Sequence, residues 1–182
     1  MGTTSVYGWP YPELTDPPDG TTAIQALAEA VESDVQRIDS PTAVTVQAEE
    51  LSVFSFTNTA AQAGTAVCGL TFVAPPSGKV VVTVSGNISS GQDGNAAILS
   101  YEVRTGSTIG SGTVVLGPDY RRAVHSSRAV NTGAVASIGA SHARLLSGLT
   151  SGATYNARTM HWINPGGGGT VDARALLIQP VK

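Results

Sequence analysis

The sequence predicts a mainly β protein with a short helix and an extended arm at its N-terminal end. From residue 42 onward, segments alternating Val and Ala with Ser and Thr are separated by Gly and Pro turns. Residues 1–21 are rich in proline, and residues 22–39 carry apolar residues at helical spacing. We therefore expect an arm at 1–21, a helix and linker at 22–41, and an antiparallel β-sandwich or barrel at 42–182.

The arm cannot be helical, because prolines at 10, 12, 17 and 18 fix φ and remove backbone donors. It is also too short to build a core of its own. Aromatic residues on an extended, proline-rich strand are typical of a segment that docks on a partner, whereas the alternative is a disordered tail. The predicted anchor residues are Tyr7, Trp9, Pro10, Tyr11 and Pro12.

The helix is predicted over 22–39, with Thr22 and Gln25 forming a capping box and Pro41 closing it. One narrow apolar stripe follows steps of three and four residues: Ile24, Leu27, Val31, Val35 and Ile38. Such a stripe with polar flanks favours a parallel trimeric bundle, and packing on the chain's own domain is the alternative. Asp34 falls where a strict heptad needs an apolar residue, so the stripe fits an eleven-residue spacing better.

Eight or nine strands are predicted in the remaining 140 or so residues. Residues 166–169 are glycines and indicate a flexible hairpin tip, not a phosphate-binding loop. The strands are expected at 43–48, 51–56, 66–74, 79–85, 97–104, 120–130, 134–146, 154–163 and 173–178.

Charge divides the chain unevenly. Residues 1–50 hold nine acids and one base, a net −8, and residues 51–182 hold four acids and nine bases, a net +5. This split suggests different partners for the two parts. No segment has the length of apolar residues that a membrane span needs, and no secretion signal is expected. The single cysteine, Cys68, lies in an apolar segment and is expected to be a buried thiol.

Motifs for catalysis are missing from the sequence, so we expect no enzyme, no cofactor and no metal site. The strand domain has four acids that could supply a glycosidase pair, namely Asp93, Glu102, Asp119 and Asp172, but most of them adjoin turns. His125, His142 and His161 fall in three different predicted strands, where a lone histidine is usually packed or solvated.

Two segments are candidates for contact with a receptor or glycan. The densest basic segment is 120–128, where strand alternation would put Arg122 and Arg128 on one face and Arg121 with His125 on the other. Residues 160–162 could offer a stacking surface for sugar, although the type of residue makes Trp162 more readily a filler of the sandwich core. The residues predicted for this contact are Arg121, Arg122, His161 and Trp162.

The N-terminal sequence resembles minor tail and fibre proteins of tailed phages that infect actinobacteria. The resemblance lies in the Tyr-Gly-x-Pro-Tyr-Pro segment at 7–12, the Pro-Pro-Asp-Gly turn at 17–20 and the helix that follows. The strand domain is similar to phage members of the tumour-necrosis-factor-like jelly rolls, in segments 72–85, 149–155 and 169–180. The irregular stripe departs from the clean heptad of the coiled-coil members.

This resemblance implies a homotrimeric virion protein, assembled in the host cytoplasm, with its N-terminus bound to other virion proteins. The jelly-roll head would face outward and bind a host cell-surface glycan, with neither nucleic acid nor membrane insertion involved. Two alternatives stay open: a depolymerase of host polysaccharide, and a capsid decoration protein that binds no receptor.

Overall fold

Alternating strands fold the larger part of the chain into two facing sheets. The computed structural model describes residues 2–3, 9–11, 20–39, 44–127 and 137–181. Its elements in chain order are β1 (Gly2–Thr3), β2 (Pro10–Tyr11), α1 (Gly20–Asp39), β3 (Val46–Glu50), β4 (Phe54–Phe56), β5 (Gly69–Val73), β6 (Val80–Ser90), β7 (Ala96–Thr105), β8 (Val114–Leu116), a 3₁₀ turn (Tyr120–Arg122), β9 (Val124–Ser127), β10 (Ser137–Leu146), β11 (Thr154–Asn164) and β12 (Gly169–Pro180).

The two sheets have the strand order of a jelly roll. One sheet runs β10-β6-β12-β3, with β4 also paired to β12; the other runs β5-β11-β7-β8, with β9 also paired to β7. Successive long strands alternate between the sheets, so that β6 and β7 lie in different sheets although only a short turn joins them. The predicted antiparallel β-sandwich is thus confirmed.

Side-chain alternation explains why these segments form a sandwich. In β6, Val80, Val82, Val84 and Ile88 are buried and face the other sheet, while the residues between them are mostly half-exposed. The facing strand β7 contributes residues of the opposite sheet to the same core. Burying each such aliphatic side chain stabilises the fold by about 1.5–3 kcal/mol, so the period-two pattern decides which face is inside.

Strand β6 is longer than predicted, because Gly86 does not end it. A Cβ atom at Gly86 would lie 2.8 Å from Cδ2 of Leu99 on the facing sheet. The glycine therefore permits a close approach of the two sheets, and the strand continues to Ser90. Strand β8, at Val114–Leu116, was not predicted at all.

The prediction of one continuous strand over residues 120–130 was wrong at its start. Tyr120–Arg122 forms a 3₁₀ turn, because the Asp119 carboxylate accepts a hydrogen bond from the backbone N–H of Arg121 at 2.7 Å. The strand begins only at Val124. Strand alternation therefore does not divide Arg121 and Arg122 between two faces, and Arg128 lies outside the described residues.

The side chain of Asn156 fastens the loop between β7 and β8. Its Nδ2 donates to the carbonyls of Thr105, Gly106 and Ser111 at 3.2, 3.1 and 3.1 Å, and its Oδ1 accepts from the N–H of Gly110 at 2.9 Å. The two N–H groups of one buried amide are thus shared among three carbonyls, and its oxygen pairs with a backbone N–H of the loop.

The chain divides into two compact units. The arm and helix belong to the first, Met1–Thr42, and the sandwich is the second, Ala43–Lys182. Helix α1 begins at Gly20, two residues before the predicted start, and ends at Asp39 as predicted. The Trp9 indole N–H donates to the Asp34 carboxylate at 2.7 Å, so this part of the arm contacts its own helix. Tyr7, Pro12 and the side chain of Ile38 lie outside what the structure describes. None of the described helices has the length and apolarity needed to span a membrane.

We predict that Asn156→Ala lowers the free energy of unfolding by about 3 kcal/mol, since it leaves several enclosed backbone groups without partners. Urea denaturation followed by fluorescence measures this loss. The exposed Asn164→Ala variant is the matched control and should change stability by under about 0.5 kcal/mol. Equal effects of the two substitutions would contradict the role assigned to Asn156.

Candidate functional site

A row of three residues crosses the outer face of the β5-β11-β7 sheet. In the strand register, Trp162 on β11 lies opposite Ile98 on β7, and Ile98 lies opposite His125 on β9. Directly opposed residues project from the same face, and two strand spacings separate the ends of the row by about 10 Å. Ile98 is fully buried, Trp162 is half-buried and His125 is exposed.

Tyr120 adds a second exposed ring to this face. Its ring stacks on the imidazole of His125, with the centroids 4.6 Å apart and the planes 26° apart. Half of Tyr120 remains exposed, and Arg121 beside it is exposed as well. We call the set Trp162, Ile98, His125, Tyr120 and Arg121 the aromatic row.

The 3₁₀ turn that carries Tyr120 is held firmly by the sheet beneath it. The Ser100 hydroxyl donates to the carbonyl of Arg122 at 2.8 Å and accepts from the N–H of Asp119 at 3.3 Å. The Arg122 guanidinium donates to the carbonyl of Gly117 at 2.9 Å. Two rigid aromatic groups and a cation are therefore presented on a fixed surface, which suits stacking on a flat, polar ligand.

The four residues predicted for receptor contact do not stay together. Arg121 and Trp162 belong to the aromatic row, whereas Arg122 is partly engaged by Gly117 and by Asp119, 3.6 Å away. His161 is a correction, because it is fully buried between the rings of Phe54 and Phe56, at centroid distances of 4.8 and 4.7 Å.

The environment of His161 keeps it neutral. Burial, and secondarily the positive charge of Arg174, lower the pKa of His161 to about 4. Neither ring nitrogen has a hydrogen-bond partner among the described residues. Two features of the sequence conflict at this position. The polarity of His161 suggests the surface, whereas the strand alternation that makes Ile163 a core residue also turns His161 inward.

Glu102, one of the four candidate catalytic acids, is a buried counter-ion. Arg158 Nε donates to its Oε1 at 2.6 Å, and Arg104 Nε lies 2.9 Å from the same oxygen. Burial alone would raise the pKa of Glu102, but the interactions with Arg104 and Arg158 outweigh burial and the net pKa lies below the usual value. Asp119, a second candidate, caps the 3₁₀ turn.

Cys68 is buried, as predicted. Its thiol contacts the carbonyls of Ala48 and Arg174 at 3.5 and 3.6 Å, and burial raises its pKa, so that it stays a protonated thiol. His125, His142 and His161 lie on β9, β10 and β11, which are three different strands as predicted. Within the described ranges, no three His, Cys, Asp or Glu side chains are grouped so as to hold a metal ion.

A groove of about 470 Å³ lies where β4, β6 and β12 meet the glycine turn at 166–169, which crosses from β11 in one sheet to β12 in the other. Glycine and hydroxyl residues line it, with Phe56 as its one aromatic side chain: Ser55, Phe56, Thr57, Ser89, Gly91, Gly168, Gly169 and Thr170. Gly169 must be small, because a Cβ there would lie 2.7 Å from the Phe56 ring. The lining has no titratable group, so the groove cannot perform acid–base catalysis by itself.

Sequence reasoning missed two features of the site. The Tyr120–His125 stack depends on the 3₁₀ turn, for which the only signal was Asp119 ahead of three polar residues. Arg174 is fully buried, although it had not been singled out. Its spacing from Leu176 and Ile178, both core residues of β12, would have indicated an inward side chain.

We predict that His161 makes the fold less stable in acid. The unfolded chain takes up a proton near pH 6.5 and the folded chain only near pH 4, so stability falls as the pH drops through this window and levels off below it. The loss is about 3 kcal/mol. Denaturation of the wild type and of His161→Leu across pH 4–7, in phosphate–citrate buffer without added salt, measures the difference in slope.

Glu50 and Glu102, whose pKa values are lowered, also make stability depend on pH. Their contribution is the same in the wild type and in His161→Leu, so it cancels when the two slopes are compared. The exposed Leu51→Ala is the control and should keep the wild-type slope, because it removes no titratable group. Identical slopes for the wild type and His161→Leu would show that His161 is not held neutral by the fold.

No protein-family model matches this chain, and no curated protein matches it. Among solved structures, the infectious bursal disease virus Gx strain gives a TM-score of 0.39 at 15% identity over 78% of this chain. The VP2 subviral particle of infectious bursal disease virus gives 0.38 at 15% identity over 78%. In both, the matched region covers 33% of the other chain, about a third of its length.

Proposed function

We propose that this protein is a structural component of a tailed-phage virion, a homotrimeric fibre or spike. Its N-terminal arm binds other virion proteins, and its β-sandwich head attaches to a glycan on the host surface. The observation that carries this proposal is the exposure of Ile24, Leu27 and Val35 in the apolar stripe of α1. The resemblance of the N-terminal sequence to actinobacterial phage tail and fibre proteins supports the same conclusion.

The exposure of the stripe is large for apolar side chains. Ile24 is 71% exposed, Val35 47% and Leu27 39%. A helix of 20 residues, about 30 Å long, with polar flanks is marginal alone in water. Three parallel copies would bury the stripes against one another, which removes this apolar surface from water and stabilises each helix.

The arm supports an anchor built from two elements. Trp9 is hydrogen-bonded to Asp34 of its own helix, so this residue of the arm is held on α1. Tyr11 stays 46% exposed beside it and is available to a virion partner. The acidic balance of residues 1–50 favours a basic or neutral partner surface.

The head offers a surface for attachment in the aromatic row. Aromatic ring faces stack on the C–H faces of sugar rings, and Arg121 can bind hydroxyl or anionic substituents beside them. Three copies of a weak site on one trimer gain avidity for a repeated wall polymer. The alternation of strands between the two sheets also fits the tumour-necrosis-factor-like jelly rolls that the sequence resembles.

We predict that the protein sediments as a trimer of about 56 kDa, three times the chain mass of 18.5 kDa. Leu27→Glu combined with Val31→Glu puts charge into the apolar stripe and should shift the mass toward that of one chain. Ser33→Glu on the opposite face of α1 is the matched control and should leave the mass unchanged. Analytical ultracentrifugation measures all three.

Deletion of residues 1–41 separates two sources of assembly. A monomeric head would place the assembly force in the helix, and a trimeric head would place it in the sandwich. A full-length wild-type protein that sediments as one chain at micromolar concentration would overturn the trimer.

For attachment, we predict that Tyr120→Ala and Trp162→Ala each weaken binding to purified cell walls of an actinobacterial host by about tenfold or more. Gln179→Ala, an exposed change on the other sheet, is the matched control. Pull-down of the labelled protein at a series of wall concentrations gives the affinities. Wild-type protein that binds no wall would remove the receptor role and favour a decoration protein. Release of soluble sugar by the wild type would favour a depolymerase.

A further inference from the structure

Arg174 places a full positive charge inside the sandwich, and none of the described carboxylates hydrogen-bonds its guanidinium. It is 0% exposed, and its Nε, Nη1 and Nη2 atoms have no hydrogen-bond partner among the described residues. A guanidinium cannot lose its proton to escape this situation. An enclosed, unpaired ion strongly destabilises a fold, so another group is expected to compensate the charge of Arg174.

Two further polar side chains in the same region are also unsatisfied. His161 and Thr159 point into the core from β11, are fully buried, and have no partner for His161 Nδ1, His161 Nε2 or Thr159 Oγ1. With the three nitrogens of Arg174, six buried polar atoms are left unpaired. Buried polar groups in folded proteins are rarely left this way, and several together indicate an absent partner.

Contacts with common neighbours hold these side chains in one region of the core. The guanidinium carbon of Arg174 lies 5.8 Å from the centroid of the Phe54 ring, and His161 packs on the same ring at 4.8 Å. Cys68 contacts the backbone of Arg174 through its thiol at 3.6 Å and accepts from the N–H of Thr159 through its carbonyl at 2.9 Å.

We propose that the interior of the β-sandwich binds a small monovalent anion of the halide class, held by Arg174, His161 and Thr159. The unpaired set is rich in donors: five guanidinium N–H groups, one imidazole N–H and one hydroxyl, against only an imidazole nitrogen and a hydroxyl oxygen as acceptors. Water would need acceptors for its own hydrogens and would leave the charge uncompensated, whereas an anion needs only donors.

The nearby carboxylates are already engaged elsewhere. Glu50 lies opposite Arg174 in the β3–β12 register, but its carboxylate accepts from the N–H of Ser52 at 2.9 Å and from the Ser52 hydroxyl. Glu49 accepts from the side chain of Gln47. The thiol of Cys68 also faces this region, and burial raises its pKa, so it stays neutral. The hydrogen bonds from Ser52 lower the pKa of Glu50 most and the charge of Arg174 lowers it least, so the two charges attract, but none of the described carboxylates hydrogen-bonds the guanidinium.

Anion binding should be linked to protonation of His161. Without the anion, the charge of Arg174 opposes a second positive charge on the imidazole. With the anion present, a protonated His161 becomes a better donor, so halide and proton should each favour the binding of the other.

Halide titration of chloride-free protein tests this proposal. Sodium bromide should raise Tm saturably, by about 5 °C at a hundredfold excess over its Kd, when sodium gluconate keeps the ionic strength constant. Gluconate is too large for an enclosed site and should not raise it. Arg174→Met should abolish the bromide effect, whereas Arg121→Met, an exposed control, should retain it. The bromide effect should also be larger at pH 5 than at pH 8.

Crystals of the wild type in bromide give a direct reading that does not depend on whether Arg174→Met folds. We expect an anomalous peak within about 3.5 Å of the Arg174 guanidinium. A water molecule at that place, the Glu50 carboxylate turned inward, or a bromide effect that survives Arg174→Met would overturn the proposal. None of these results depends on trimer formation or on binding to host walls.

Discussion

Contact between the inner faces of two sheets is the constraint on which the rest of the molecule depends. The β6 and β12 side chains interdigitate with those of β7 and β11, and almost every aliphatic residue of the core belongs to this layer. Because the successive long strands β6, β7, β10, β11 and β12 alternate between the sheets, the connections between them cross from one sheet to the other. The positions of the loops, and of the aromatic row on one outer face, follow from that crossing pattern.

The same layer also contains side chains that a purely apolar interior would exclude. Arg174, His161 and Thr159 are fully buried in it, and the β-bulge between Asp172 and Ala175 shifts the register beside Arg174. At this bulge Ala173 adopts a positive φ of 45°, which an L-residue with a side chain rarely takes. Backbone strain at Ala173 and the buried charge of Arg174 thus lie side by side in β12. Strained residues are often found at ligand-binding and other functional sites.

Much of the architecture could be read from the sequence, because period-two alternation and Gly or Pro turns report directly on strands. The boundary of α1 at Asp39 and the turn in the glycine run at 166–169 are examples, although that turn crosses between sheets and is not the predicted hairpin. The errors lie where a single side chain overrides the pattern. Asp119 caps a 3₁₀ turn where a strand was predicted. Gly86 was expected to end a strand, but it lies inside β6 and lets the two sheets approach closely.

The candidate site was less predictable than the fold. Trp162 and Arg121 were identified, but their partners in the row came from strand register, which brings together residues distant in the chain. His161 was misplaced because polarity suggested the surface while its position in the alternation placed it inside. Register and facing cannot be derived from local propensity, since a shift of one residue exchanges the two faces of a strand.

The way the sheet holds the 106–122 segment has a consequence for how such a head could diversify. Asn156 and Ser100 bind main-chain atoms of that segment, so they fix its path whatever side chains it carries. Positions such as Ser107, Thr108 and Tyr120 can then change without loss of the scaffold. Substitutions there would change the chemistry of the exposed surface while the sandwich itself stays constant.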